Sequence, residues 1–92
     1  MSKKKLKLAR KKIDKIDIRI FGLIKQRTKI VRHVMSLKKY KKQIVDQKRI
    51  KEILRSIRKK SIKNNVDPKI TLKIWKSMIY SYINFERKNF KK

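Results

Sequence analysis

The chain has 92 residues, with 32 Lys and Arg against 6 Asp and Glu, one Gly, one Pro, one His and no Cys. This length allows one domain at most, and we expect a single domain over residues 1–92. Without cysteine the chain forms neither disulfides nor thiolate metal sites, and a single His argues against any metal site. We therefore expect no metal and no cofactor.

The formal net charge of +26 has two interpretations. Lys and Arg neutralise phosphates and supply most non-specific affinity for nucleic acids, so a nucleic-acid partner is the first. The basic residues are spread along the whole chain, however, and heavy use of Lys, Ile and Asn together is also typical of an AT-rich genome. A solvated coat of lysine is therefore the second interpretation, and such a coat would still speed the capture of a small dianion.

The composition of the first residues and the lengths of the apolar runs indicate a cellular location. Residues 1–12 are basic but lack the apolar segment of a signal peptide, and no apolar run approaches the roughly 20 residues of a membrane span. We therefore expect a cytoplasmic protein, with residues 1–5 as a disordered basic start.

The first predicted helix extends from about Lys5 to Lys39. Steps of three and four residues place nine side chains on one face, which we call the seam. The seam consists of Arg10, Ile13, Asp17, Ile20, Ile24, Arg27, Val31, Val34 and Lys38. Further apolar residues widen this face: Ile16, Leu23, Ile30 and Leu37.

Four members of the seam are charged, which a face that serves folding alone would not need. Burying an unpaired charge costs roughly several kcal/mol even after relaxation. Arg10, Arg27 and Lys38 therefore need partners inside the fold, and Asp17 can serve one of them. The remaining cations predict a pocket for an anionic ligand.

Two shorter helices follow, and we find no pattern of a strand. Tyr40–Val45 is predicted as a loop, and the second helix begins near Asp46, a good capping residue. Asn64 and Asn65 end it, because Asn tolerates the left-handed conformation. Its apolar positions are Ile50, Ile53, Leu54, Ile57 and Ile62.

The third helix begins at Asp67-Pro68, a capping residue followed by Pro at the first helical position. Its apolar face is formed by Leu72, Trp75, Ile79 and Tyr82, continues into Glu86, and is flanked by Met78 and Ile83.

The length of the first helix predicts an obligate homodimer. At 1.5 Å per residue this helix is roughly 50 Å long, whereas a compact monomer of this size has a radius of gyration of about 12–13 Å. We expect two copies to lie with their long helices side by side. Arg10 and Arg27 are roughly 25 Å apart along one helix, so they could reach one small ligand only across an antiparallel pair.

The charged and polar residues on these faces form one candidate site. It comprises Arg10, Arg27, Lys38, Asp46, Arg49, Tyr82 and Glu86. Arg recognises carboxylates with two hydrogen bonds, and Lys supplies a compact donor. Roles without a ligand are open for all seven. Asp46 can be a helix cap, Tyr82 a core residue and Glu86 the partner of an Arg, whereas Arg10, Arg27, Lys38 and Arg49 can be ordinary surface cations. No catalytic triad, phosphate-binding loop or dinucleotide fingerprint is present.

The spacing of these residues resembles the all-helical chorismate mutases. Arg10-Lys-Lys-Ile-Asp-Lys-Ile-Asp17 is followed by Arg27 and Lys38 at the distances typical of their first helix. Val45-Asp46-Gln-Lys-Arg49 resembles the signature of their second helix, and Asn65-Val-Asp-Pro with the face from Trp75 to Glu86 resembles their third. The resemblance covers roughly residues 6–90.

The resemblance implies an intertwined all-α homodimer that rearranges chorismate to prephenate, in the shikimate pathway of aromatic amino acid biosynthesis. It implies that Arg10 of one chain joins Arg27 and Lys38 of the other. The two arginines would bind the substrate carboxylates, and Lys38 would hydrogen-bond the ether oxygen of the breaking bond. Glu86 stands where the family contacts the same oxygen, and only its protonated form could donate there. This predicts higher activity on the acid side of neutral.

Two positions depart from the family pattern. Ile50 stands where the family usually has a Glu that contacts the ring hydroxyl, and Tyr82 stands where a small hydroxyl residue is common. Both replacements also resemble the isochorismate pyruvate-lyases, which share the fold. Three alternatives to an active mutase therefore stay open: a lyase on the same scaffold, a family member that lost activity, and a non-enzymatic helical protein that binds nucleic acid.

Overall fold

The computed structural model describes residues 2–91, in which three α-helices follow one another without a strand. Helix α1 is Lys3–Leu37, α2 is Gln47–Lys63 and α3 is Pro68–Asn89. The predicted all-α class, with one long and two shorter helices, is confirmed.

The helix ends differ from the prediction by about two residues. Helix α1 begins at Lys3 and ends at Leu37, where we expected Lys5 and Lys39. Residues 3–5 are the first residues of α1, in keeping with Lys and Leu as good helix formers. The expected disorder of residues 1–5 stays a prediction, and Met1 lies outside the described residues. The predicted loop contains a single 3₁₀ turn, Lys41–Ile44, which is too short to show a periodic pattern.

The predicted boundaries of the two shorter helices are set by side chains that satisfy free backbone groups. The Asp46 carboxylate accepts a hydrogen bond from the backbone N–H of Arg49 at 3.0 Å. Asp67 does the same for Lys69 at 2.9 Å, with Pro68 as the first residue of α3. Asn65, between the two helices, has a φ of 57°, the left-handed conformation that Asn tolerates.

The chain divides into two compact units, residues 1–33 and residues 34–92. Within the first unit, the described residues from Lys3 onward belong to α1, and no residue of α1 is buried. The second unit contains the end of α1, the 3₁₀ turn, α2 and α3. The single domain expected over residues 1–92 stays a prediction.

The core of the second unit is small and built from isoleucine. Ile44 of the 3₁₀ turn, Ile50 of α2, and Ile79 and Ile83 of α3 are buried together. Partly buried residues pack against them: Val45, Ile53, Leu54 and Phe90. Helices α2 and α3 contact each other, and α3 also contacts the 3₁₀ turn. Three segments that are separate in the sequence therefore share one apolar core.

One predicted apolar position of α2 is wrong. Ile62 is 59% exposed, whereas Ser61 beside it is only 4% exposed. Ser61 follows Ile57 by four residues, which keeps it on the same helix face, and Ile62 is rotated away from that face. The Ser61 hydroxyl donates to the Ile57 carbonyl at 2.7 Å and lies 2.6 Å from the Thr71 hydroxyl, so a polar pair joins α2 to α3.

Candidate active site

An ion pair between Lys38 and Glu86 is the central feature of the candidate site. Lys38 lies just after the end of α1, and Glu86 is on α3, 48 residues later. The Lys38 Nζ atom donates to Glu86 Oε1 at 3.3 Å and to Oε2 at 3.4 Å. The structure thus brings together two predicted residues, and Glu86 pairs with a lysine rather than with the arginine considered as its structural partner.

The two members of this pair differ in their access to solvent. Glu86 is buried at 6% exposure, and a buried carboxylate needs a partner because it has lost its hydration. The Lys38 side chain remains 20% exposed. An ammonium has three N–H groups, so two long contacts with one carboxylate leave Lys38 able to donate to a further anionic or ether oxygen.

The segment after Lys38 is held in place by Gln43, a residue that the sequence reading missed. The Gln43 side-chain oxygen accepts from the backbone N–H groups of Lys39 at 2.7 Å and of Tyr40 at 2.8 Å. The 3₁₀ turn then places Ile44 in the core. A Gln three residues after the start of a helical turn is a known capping signal, which could have identified this residue.

Helix α3 positions Glu86 through the periodicity of its apolar face. Ile79 and Ile83 precede Glu86 by seven and three residues and are buried in the core, so Glu86 projects from the same buried face. Tyr82 is one turn before Glu86 and is half-buried. We expected Ile83 to flank this face, but it is more deeply buried than Tyr82.

The start of α2 carries three more predicted residues, in different environments. Asp46 is the N-cap of α2 and is exposed, as is Arg49. Ile50 is buried with Ile44 and the isoleucines of α3. The structural role considered for Asp46, that of a helix cap, is therefore present, and Ile50 is a core residue.

Arg10 and Arg27 belong to the other compact unit, residues 1–33. Arg10 is exposed and Arg27 is half-buried. A seam charge needs a partner only where it is buried, and Arg10 and Asp17 are both exposed. Lys38 is partly buried, and its partner is Glu86.

Other features of the described part of the chain are separate from the predicted site residues. Residues 2–91 contain no group of three His, Cys, Asp or Glu side chains that could hold a metal ion. No helix among them is long and apolar enough to cross a membrane. An open depression of about 410 Å³ lies on α2 and is lined by none of the predicted site residues; its lining is Glu52, Arg55, Ser56, Lys59 and Lys60.

Glu86, buried on α3, and Lys38, partly exposed just after the end of α1, make the candidate chemistry of this small all-α protein depend on charged side chains. The chorismate mutase type II family matches residues 9–87, so the chain belongs to that family. The match includes most of α1, all of α2 and nearly all of α3, and it contains both members of the ion pair, Lys38 and Glu86. The comparison with curated proteins found no match. The comparison with solved structures also found none.

Membership of this family makes the chain an isomerase that converts chorismate to prephenate, the activity that the sequence predicted. Chorismate is accordingly its substrate, and the pathway is that of aromatic amino acid biosynthesis. The interpretation of the chain as a non-enzymatic nucleic-acid-binding protein is not supported.

Proposed function

We propose that two copies of the chain form a site in which chorismate rearranges to prephenate, with Lys38 as donor to the ether oxygen. The observation that carries this proposal is the Lys38–Glu86 pair. A buried carboxylate fixes the position of an ammonium group whose side chain stays partly exposed. A fixed cation is what this reaction requires.

The chemistry needs positioning and charge, not a nucleophile. In the rearrangement the C–O bond of the ether breaks while a new C–C bond forms within the same molecule. Holding the substrate in its compact chair conformer removes much of the entropic part of the barrier. Negative charge grows on the ether oxygen, and a donor that is already oriented stabilises it without reorganising. Lys38 has this role in the proposal.

The arginines bind the two substrate carboxylates in this proposal. Arg is suited to this role because its planar group donates two parallel hydrogen bonds to a carboxylate. Arg27 would act with Lys38 of the same chain, and Arg10 would come from the partner chain. Asp46, Arg49, Ile50 and Tyr82 are the further residues proposed to line the site.

The exposed apolar face of α1 supports the homodimer. Ile13, Ile20 and Ile24 of the seam are each more than two-fifths exposed in the single chain, and so are Leu23 and Ile30 beside it. Contiguous exposed apolar surface of this kind marks an interaction site. A second copy, laid along the same face, would cover it and carry Arg10 to the site.

Mixing two inactive variants tests the shared site. Arg10→Ala and Arg27→Ala should each lose most activity, since each removes one carboxylate contact from every site. A mixed dimer has one site with both substitutions and one site with none. Unfolding and refolding an equimolar mixture should therefore restore about a quarter of the wild-type activity if a symmetric dimer forms at random. No recovery in dimers shown to be mixed would contradict a shared site.

The activity itself is tested by product identification. Purified protein is given chorismate, and prephenate is quantified beside Arg27→Ala and the exposed control Arg19→Ala. We expect prephenate from the wild type and the control and strongly reduced formation by Arg27→Ala. No turnover of chorismate would contradict the proposed function.

A second candidate substrate is favoured by the environment of Ile50. This residue is apolar and buried in the core, so it offers no hydrogen bond to a substrate hydroxyl. An unpaired substrate hydroxyl costs roughly 1–3 kcal/mol. The alternative reaction is the release of pyruvate from isochorismate on the same scaffold. Pyruvate released from isochorismate at a rate above that of prephenate formation would favour the lyase.

The cytoplasmic location also stays a prediction.

A further inference from the structure

The outer face of α2 carries a dense row of positive charge that the proposed reaction does not use. Residues 48–63 contain eight Lys and Arg against one Glu. Steps of four, three, four and four residues place five exposed side chains on one face, which we call the basic stripe. The basic stripe consists of Lys48, Glu52, Arg55, Lys59 and Lys63.

The cations of the basic stripe have no acidic partner in the structure. Within residues 2–91, no carboxylate oxygen lies within ion-pair distance of Arg55, Lys59 or Lys63. Arg55 and Lys59 are four residues apart, as are Lys59 and Lys63, and like charges at this spacing repel each other on a helix. The stripe therefore weakens α2 as long as no anion lies against it.

We propose that the basic stripe binds the phosphate backbone of duplex nucleic acid without reading its sequence. From Lys48 to Lys63 the stripe is roughly 22 Å long, calculated from the helix rise. A duplex of that length carries about 13 phosphates. The depression on α2 is lined by Glu52, Arg55, Ser56, Lys59 and Lys60. Its three cations and its serine present donors for phosphate oxygens, and Glu52 is the one acidic side chain among them.

A membrane surface fits this helix less well. A helix that lies in a membrane interface buries its apolar face among the lipids. In α2 that face is already used, because Ile50 is in the core and Ile53 and Leu54 pack against it. A second copy of the chain would bring like charges together and does not fit the stripe either.

Single-stranded nucleic acid also fits poorly. Proteins that bind single strands combine cations with aromatic side chains on which the bases stack. Helix α2 contains no Phe, Tyr or Trp. Its long, flexible side chains suit backbone contacts, which position a protein on a duplex but carry no sequence information.

The test measures binding of the full chain to a duplex DNA of about 20 base pairs and arbitrary sequence, by fluorescence anisotropy between roughly 50 and 200 mM salt. The variant Arg55→Gln/Lys59→Gln/Lys63→Gln removes three charges from the stripe. The matched control Lys11→Gln/Lys25→Gln/Lys76→Gln removes three exposed lysines from other faces of the molecule. Circular dichroism establishes that both variants keep their helix content.

We expect the stripe variant to bind at least about tenfold more weakly at low salt and to reduce the slope of log K against log[salt] by about 2–3. The control variant should change that slope by less than about one. Glu52→Gln, which removes the only negative charge of the stripe, should tighten binding more than Asp14→Asn, which makes the same charge change on α1.

Four results would overturn the proposal. Equal weakening by the stripe variant and its control would assign the binding to net charge alone. Tighter binding to a single strand, or to vesicles of anionic lipid, would identify a different class of partner. Absence of duplex binding at low salt by the folded wild type would remove the proposal altogether.

Discussion

Helix α1 and the pair of helices α2 and α3 differ in whether their apolar side chains are buried within the chain. The seam of α1 and the inner face of α3 both carry apolar side chains at helical spacing, yet no residue of α1 is buried. The shorter helices instead bury Ile50, Ile79 and Ile83 against one another and against Ile44.

This difference shows that an apolar pattern predicts a buried helix face but does not indicate which segment or which chain packs against it. For α2 and α3 the cover comes from the same chain, because a connection of a few residues brings the two helices side by side. For α1 we propose that it comes from a second copy. Lys38 and Glu86 both belong to the second unit, whereas Arg10 and Arg27 belong to α1. The proposed chemistry therefore depends on both regions.

The largest effect is expected from Lys38, which tests the chemistry proposed for the second unit. Lys38→Ala removes the donor to the ether oxygen and should lower kcat by about 10²- to 10³-fold, as for other donors to a developing oxyanion. Lys39→Ala is the control, because it removes an exposed lysine beside it. Equal loss in both variants would contradict a specific role for Lys38.

The core of the second unit should be sensitive to a single cavity. Ile83→Ala removes buried methyl and methylene groups and should lower the free energy of unfolding by about 2–5 kcal/mol. Ile74→Ala on the same helix is matched, since Ile74 is 52% exposed. Chemical denaturation followed by circular dichroism measures both, and similar losses would show that the isoleucine core is not what holds α2 and α3 together.

Substitutions in the seam of α1 should weaken the proposed dimer. Ile20→Ala removes one seam side chain from each copy and should raise the dimer dissociation constant by about ten- to a hundredfold. Ile18→Ala is the control, because Ile18 is on the same helix but off the seam and 72% exposed. Light scattering over a dilution series measures the constant. A monomeric wild type, or equal effects of the two substitutions, would be inconsistent with the proposed interface.

The Glu86 carboxylate should act through the position that it gives Lys38. Both of its oxygens accept from the Lys38 ammonium, so Glu86→Gln removes the charge that holds this group and should lower kcat by about tenfold. Glu52→Gln, at an exposed position, is the control and should leave kcat unchanged. Equal kcat in the two variants would contradict a positioning role for Glu86.

The smallest effect is expected at the polar contact between α2 and α3. Ser61→Ala removes the hydroxyl that pairs with Thr71 and should lower the free energy of unfolding by about 1 kcal/mol. Ser56→Ala is the control, since Ser56 is an exposed serine of the same helix. The difference between the two variants isolates the buried hydrogen bonds from helix propensity, and no difference would make the Ser61–Thr71 contact energetically neutral.

Features that depend on neighbouring residues could be predicted from the sequence alone. Asp46 and Asp67 mark helix starts because a carboxylate satisfies free N–H groups, and Asn65 marks a helix end because Asn tolerates a positive φ. The spacing of Arg10, Arg27, Lys38 and Glu86 was sufficient to indicate the family, since residues that act together keep their helical register.

Contacts between distant residues, in contrast, became known only from the folded structure. Lys38 and Glu86 are 48 residues apart, so no short-range sequence pattern links them. Their pairing follows from the packing of the 3₁₀ turn on α3. The burial of Ser61 likewise could not be predicted from the sequence, because it depends on the contact with Thr71 of α3. Local capping and periodicity depend on neighbours within a few residues, whereas ion pairs and cores depend on contacts that form only when distant segments pack.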